Sequence, residues 1–114
     1  MRRKVVVVCD KIDTVVFHDP YDARCVLRAS GLSWKNLAYR LENDRLSVKG
    51  VEWLLGIAKQ RPRFPQTRLE KWLREPLSTE GVEWWKNYFW RQRRRLLKLL
   101  RRALELGEGL IVEL

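Results

Sequence analysis

The sequence predicts an α+β fold. An N-terminal β-hairpin and a C-terminal strand form a small sheet, covered by four to five helices that include one long C-terminal helix. Three observations carry this reading. β-Branched runs cluster at the two ends of the chain, in "KVVVVC" (4–9), "TVVFH" (14–18) and "LIVEL" (110–114). Between them, helix-starting and helix-stopping residues recur at helical spacing. Finally, the apolar residues of 84–106 repeat with the period of an α-helix. At 114 residues the chain is a single domain, 1–114, long enough for one core and no more.

The elements follow in order. "DKID" is a polar four-residue turn joining the first two strands, and four consecutive valines (5–8) mark a strand close to the core. Asp19-Pro20 supplies an N-cap and a proline at the first helical position, and Gly31 closes that segment. Ser33 is placed to cap "WKNLAYRLE", and Ser47 to cap "VKGVEWLLGIAKQ". "RPRFPQ" (61–66) is incompatible with a helix interior and reads as a stiff basic connector. Thr67 can cap "RLEKWLRE", which Pro76 ends; Ser78 then opens the long helix, with Glu80 in its first turn. That helix runs from about 79 to 106, near 40 Å at ~1.5 Å per residue, until Gly107 and Gly109 stop it. "LSVKGVEW" (46–53) and "LSTEGVEW" (77–84) echo one another, each preceded by "RLE", which suggests either a duplicated helical hairpin or one capping solution used twice.

Charge directs the functional reading. The formal net charge is +10 from 24 basic and 14 acidic residues. Arg outnumbers Lys 16 to 8, and guanidinium forks match phosphate geometry and stack on bases. A small folded domain this basic meets nucleic acid, an acidic partner or an anionic surface. No apolar run approaches the ~18 residues of a membrane span, so no membrane association is expected. Four valines are too short for a signal-peptide core, and the expected location is cytoplasmic. Cys9 and Cys25 have no metal-type spacing and read as two thiols, although a disulfide is compatible with the thermophilic look of the composition.

On a helical wheel the long helix divides. Trp85, Tyr88, Phe89, Leu96, Leu99, Leu100, Ala103 and Leu106 share an apolar face, widened by Trp90, Leu97 and Leu104. Arg91, Arg94, Arg95, Lys98, Arg101 and Arg102 occupy the other, with Trp84 in line and Tyr88 at the edge. Residues 86–102 hold eight bases and no acid. A solvated helix back normally mixes signs, because like charges at i,i+3 and i,i+4 repel. The stripe therefore reads as a surface for a polyanion, with Trp84 placed to stack on a base. Arg61 and Arg63 in the connector make a second arm. Leu97 and Leu104, seven apart, would let two long helices pair as a homodimer.

Other readings stand beside this one. "LSWKNLAYRLENDRLSVKGVEWLL" resembles a helix-turn-helix pattern. That resemblance implies a DNA-binding regulator built on residues 33–59, with Arg45, Lys49 and Trp53 near the groove and Ala38 where the helices cross. Glu42 and Asn43 depart from the pattern, and an ordinary helical hairpin is the plainer reading. Asp10, Asp13, His18, Asp19 and Asp22 could serve a metal-dependent nuclease, but turn and cap preferences already account for the aspartates. The charge pattern also suits an assembly module of a nucleoprotein or virus-type particle. No glycine-rich phosphate loop, His/Cys constellation or Ser-His-Asp set is present, so no cofactor is implied. The expectation is a non-enzymatic nucleic-acid-binding protein of low sequence specificity, single-stranded DNA or RNA being its ligand.

Overall fold

The computed structural model describes residues 4–19, 34–60 and 63–113. Their elements are β1 (Lys4–Cys9), β2 (Thr14–Asp19), α1 (Trp34–Tyr39), β3 (Leu41–Glu42), β4 (Arg45–Leu46), α2 (Val48–Ala58), α3 (Gln66–Leu73), α4 (Thr79–Leu106) and β5 (Leu110–Glu113). The fold is α+β, as expected. The helix expected over 19–31, the cap at Ser33, Cys25 and Arg61 lie outside the described residues.

The sheet is larger than the three strands expected. It has five, ordered β2-β1-β5-β4-β3, and every pairing is antiparallel. Its register places Val8 opposite both Val15 and Val112, and Leu46 opposite Leu110. All five are buried. Because side chains alternate across a strand, they form one continuous apolar surface. The helices cover it with Val51, Leu54, Leu55 and Ala58 of α2 and with Phe89, Leu96, Leu99, Leu100 and Ala103 of α4.

The extra hairpin corrects the helix-turn-helix expectation. α1 stops at Tyr39, and 41–46 is a β-hairpin joined to β5 rather than the turn between two crossing helices. The cause is local. Asn43 and Asp44 both take left-handed backbone, φ 51° and 61°, and two such residues in a two-residue loop make the turn whose twist suits a hairpin. Ala38, expected at a helix crossing, is exposed.

The echo resolves into a shared cap. Ser47 and Ser78 have nearly the same backbone angles, and each hydroxyl accepts from the N–H of the glycine three residues on, at 3.1 and 3.0 Å. At Gly50 the missing Cβ leaves room for the leucine before the serine, since one there would sit 2.4 Å from Leu46 Cδ1; at Gly81 it would only make ordinary contact with Leu77 Cδ2, at 3.6 Å. The likeness goes no further, since "RLE" at 40–42 enters a strand whereas at 68–70 it is helical. Thr67 is not the cap of α3. That helix begins at Gln66 after Pro65 without a side-chain cap, and Glu70 Oε2 instead accepts from Leu77 N–H at 2.6 Å across the turn into α4. α4 ends in a Schellman motif: Gly107 (φ 66°) donates to Leu104 O and Glu108 to Ala103 O.

Candidate nucleic-acid interface

α4 is the element on which the charged and aromatic candidates meet, and the structure sorts its bases into two kinds. The first kind is engaged in holding the fold. Arg102 Nε donates to Asp10 Oδ2 at 2.6 Å, with both side chains largely buried. Arg95 donates to Thr14 O at 2.9 Å and lies 3.6 Å from Asp13. Arg93 reaches the other way, donating to Lys59 O and Gln60 O beyond the end of α2 and lying over the Trp90 ring. Carbonyls at a helix C-terminus carry partial negative charge, so a guanidinium is well placed there.

Asp10 organises the β1–β2 turn. Its Oδ1 accepts from Ile12 N–H and Asp13 N–H, both at 2.8 Å. Burial works against the ionised carboxylate, but the hydrogen bonds from Arg102, Asp13 and Ile12, with the Arg102 charge, outweigh it. The group is held below its ordinary pKa of 3.8. Both oxygens are thus engaged, and Asp13 Oδ1 accepts from Thr14 N–H. The acidic cluster considered for a metal is therefore a turn in which each of these two aspartates has a structural partner. No group of three or more potential metal ligands forms among the described residues. The His18 and Asp19 side chains and Asp22 fall outside what is described.

Gln92 was not picked out in the sequence. It is only 4% exposed and donates to Val16 O at 2.9 Å, which ties α4 to β2. Its signal was a polar residue at an apolar wheel position, hidden inside a run of arginines.

The second kind is free. Arg91, Arg94, Lys98 and Arg101 are exposed and follow one ridge of α4 at i,i+3 and i,i+4 steps. None forms an ion pair among the described residues. The ridge rises about 15 Å, at ~1.5 Å per residue. At its N-terminal end Arg91 lies over the Tyr88 ring at 5.5 Å, and Tyr88 in turn stacks on Trp84 at 5.5 Å with an interplanar angle of 7°. Trp85 meets Trp84 edge-on. Trp84 is 57% exposed.

No protein-family model, curated protein or solved structure matches this chain.

The chain's own geometry must therefore carry the functional reading. Of the residues expected in the stripe, the structure brings together Trp84, Tyr88, Arg91, Arg94, Lys98 and Arg101, and it places Arg95 and Arg102 against the hairpin turn. Arg63 is exposed, and Phe64 beside it packs edge-on against the buried Phe89. Among the alternative contacts, Arg45 stands exposed opposite Ile111 in the sheet, and Lys49 is exposed in the first turn of α2. Trp53 is half-buried with the Arg40 guanidinium 4.3 Å over its ring. Lys49 and Trp53 share α2, whereas Arg45 lies in β4, so the three do not line one helix. Trp53 and Trp84 hold the same position after the same cap, yet Trp53 is half-buried whereas Trp84 is exposed with one face stacked on Tyr88. Of the two leucines expected to pair long helices in a homodimer, Leu97 is 6% exposed in the core and Leu104 is partly buried against it. No described helix is long and apolar enough to cross a membrane.

Proposed function

We propose that this protein binds single-stranded nucleic acid, largely independently of sequence, along the free ridge of α4. The observation that carries the reading is the ridge itself: four exposed cations without acidic partners among the described residues, running into a tryptophan that is exposed on the side away from Tyr88. Three pairs of these cations sit at i,i+3 or i,i+4, and repulsion of ~0.2–0.5 kcal/mol per pair costs the helix about 1 kcal/mol. Phosphates relieve that repulsion and release condensed counterions. Trp84 supplies a base-stacking platform, a contact worth ~1–3 kcal/mol. An unpaired strand is the ligand that can use both, because its bases are open to stacking. A cationic ridge reads phosphate rather than base edges, so sequence preference along it is weak.

Fluorescence anisotropy with labelled single-stranded DNA, duplex DNA and single-stranded RNA of equal length, across a salt series, tests this. Four phosphate contacts on a single strand predict a log–log salt slope of about −3. Charge reversal of Arg91, Arg94, Lys98 and Arg101 to Glu should abolish binding while the circular dichroism stays native. Arg95 and Arg102 are left intact, because changing them perturbs the hairpin. Unchanged affinity in the folded variant, or no binding of wild type to any of the three ligands at low salt, overturns the proposal.

A further inference from the structure

β2 stands at one end of the sheet and β3 at the other. β3 is only two residues long (Leu41–Glu42) and offers little to an added strand. β2 has six residues, "TVVFHD", rich in the β-branched and aromatic types that favour strands. No strand pairs with its outer side among the described residues. The turn fixes the hydrogen-bonding phase of β2. Asp10 N–H donates to Asp13 O at 3.1 Å, so 10 and 13 form a bonded pair. Bonded and non-bonded pairs alternate along an antiparallel ladder, which makes Cys9–Thr14 and Val7–Val16 non-bonded pairs. The N–H and C=O groups of Thr14 and Val16 therefore point away from β1, along the outer edge.

Such an edge is a template for another strand, but here α4 reaches it first. Gln92 Nε2 donates to Val16 O and Arg95 Nη2 to Thr14 O, both at 2.9 Å. The donors are three apart on the helix and the acceptors two apart on the strand, so one side of α4 runs along the edge. Each side chain takes the acceptor that the N–H of an added strand would need. Burying an amide is costly without a partner, and Gln92, at 4% exposure, finds one in Val16 O. Asp13, 3.6 Å from Arg95, helps to hold the guanidinium in place. We infer that the outer edge of β2 is a strand-pairing surface for a second copy of this chain, held closed by Gln92 and Arg95. A second copy fits because the edge is self-complementary: two β2 strands related by a twofold axis run antiparallel, and each offers the other the same outward donors and acceptors. The closure needs no ligand on the cationic ridge.

The test removes the two donors. Gln92→Met with Arg95→Met keeps unbranched side chains that suit a helix, and circular dichroism checks the fold. Sedimentation equilibrium on nucleic-acid-free protein should find wild type as a single chain from micromolar to near-millimolar concentration. The double variant should shift from one chain to two over the same range. Adding Val16→Pro should return it to one chain, because proline lacks the N–H that faces the outer edge while the β1–β2 ladder loses no bond. A folded double variant that stays a single chain overturns the inference. So does a dimer that survives Val16→Pro, which places the contact elsewhere, and so does a wild type that already dimerises. Should the double variant fail to fold, Arg95→Met alone carries the test: it should associate at the highest concentrations, and a folded Arg95→Met that stays a single chain overturns the inference.

Discussion

Arg101 and Arg102 are sequence neighbours of the same type, and the structure predicts opposite consequences for replacing them with alanine. Arg102 makes a 2.6 Å charged hydrogen bond to Asp10, the two side chains being 21% and 11% exposed. Removing it strands a mostly buried carboxylate that keeps only its two backbone donors. Hydrogen bonds to charged groups contribute ~1.5–3 kcal/mol, and breaking a fully buried pair costs ~3–5 kcal/mol. Partial exposure and the retained backbone bonds put Arg102→Ala at about 2–3 kcal/mol. In a domain of this size that lowers Tm by roughly 8–12 °C. Arg101 is exposed and unpaired, so Arg101→Ala should leave stability within about 0.5 kcal/mol of wild type while weakening nucleic-acid binding and flattening its salt slope by about one contact. Thermal and urea unfolding followed by tryptophan fluorescence read the first effect, and anisotropy reads the second. A cycle with Asp10→Ala should show a coupling above ~1 kcal/mol between positions 10 and 102. Equal Tm values for Arg102→Ala and Arg101→Ala would refute the division of the stripe into engaged and free arginines.

Further outcomes follow from the same geometry. Because Asp10 has a folded pKa below 3.8, its contribution is complete above that value and is lost as pH falls through the lower folded value. The stability gap between wild type and Asp10→Asn should therefore be full at neutral pH and close in urea titrations run below about pH 4. Trp84→Ala gives up a partly exposed stack, so it should lose no more than about 1 kcal/mol of stability yet weaken single-strand binding by ~1–3 kcal/mol and remove most of the fluorescence quenching on binding. Asp44→Gly relieves a left-handed residue (φ 61°) in the β3–β4 turn and should raise urea stability by up to about 1 kcal/mol; a loss would mean that the Asp44 side chain holds the turn.

Local rules made much of this molecule legible in advance. The valine runs, the serine caps and the helical period of 84–106 each depend on residues within a few positions of one another. β1, β2, β5, α2 and α4 accordingly stand where those patterns place them. The β3–β4 hairpin escaped notice because two-residue strands carry no periodic signal. Its identity rested on the backbone that Asn43 and Asp44 adopt once β5 is there to pair with β4.

For the candidate site, the sequence by itself determined that one long helix would carry a dense basic face with Trp84 at its end, because the helical period assigns residues to faces without reference to the rest of the chain. Only the tertiary structure decided which of those bases are available. Arg93, Arg95 and Arg102 find carbonyls and carboxylates that lie 33 to 92 positions away in the chain, whereas Arg91, Arg94, Lys98 and Arg101 meet no acid among the described residues. A helical wheel gives the direction in which a side chain points but not what lies there. A guanidinium's role depends on whether a carboxylate or solvent occupies that place.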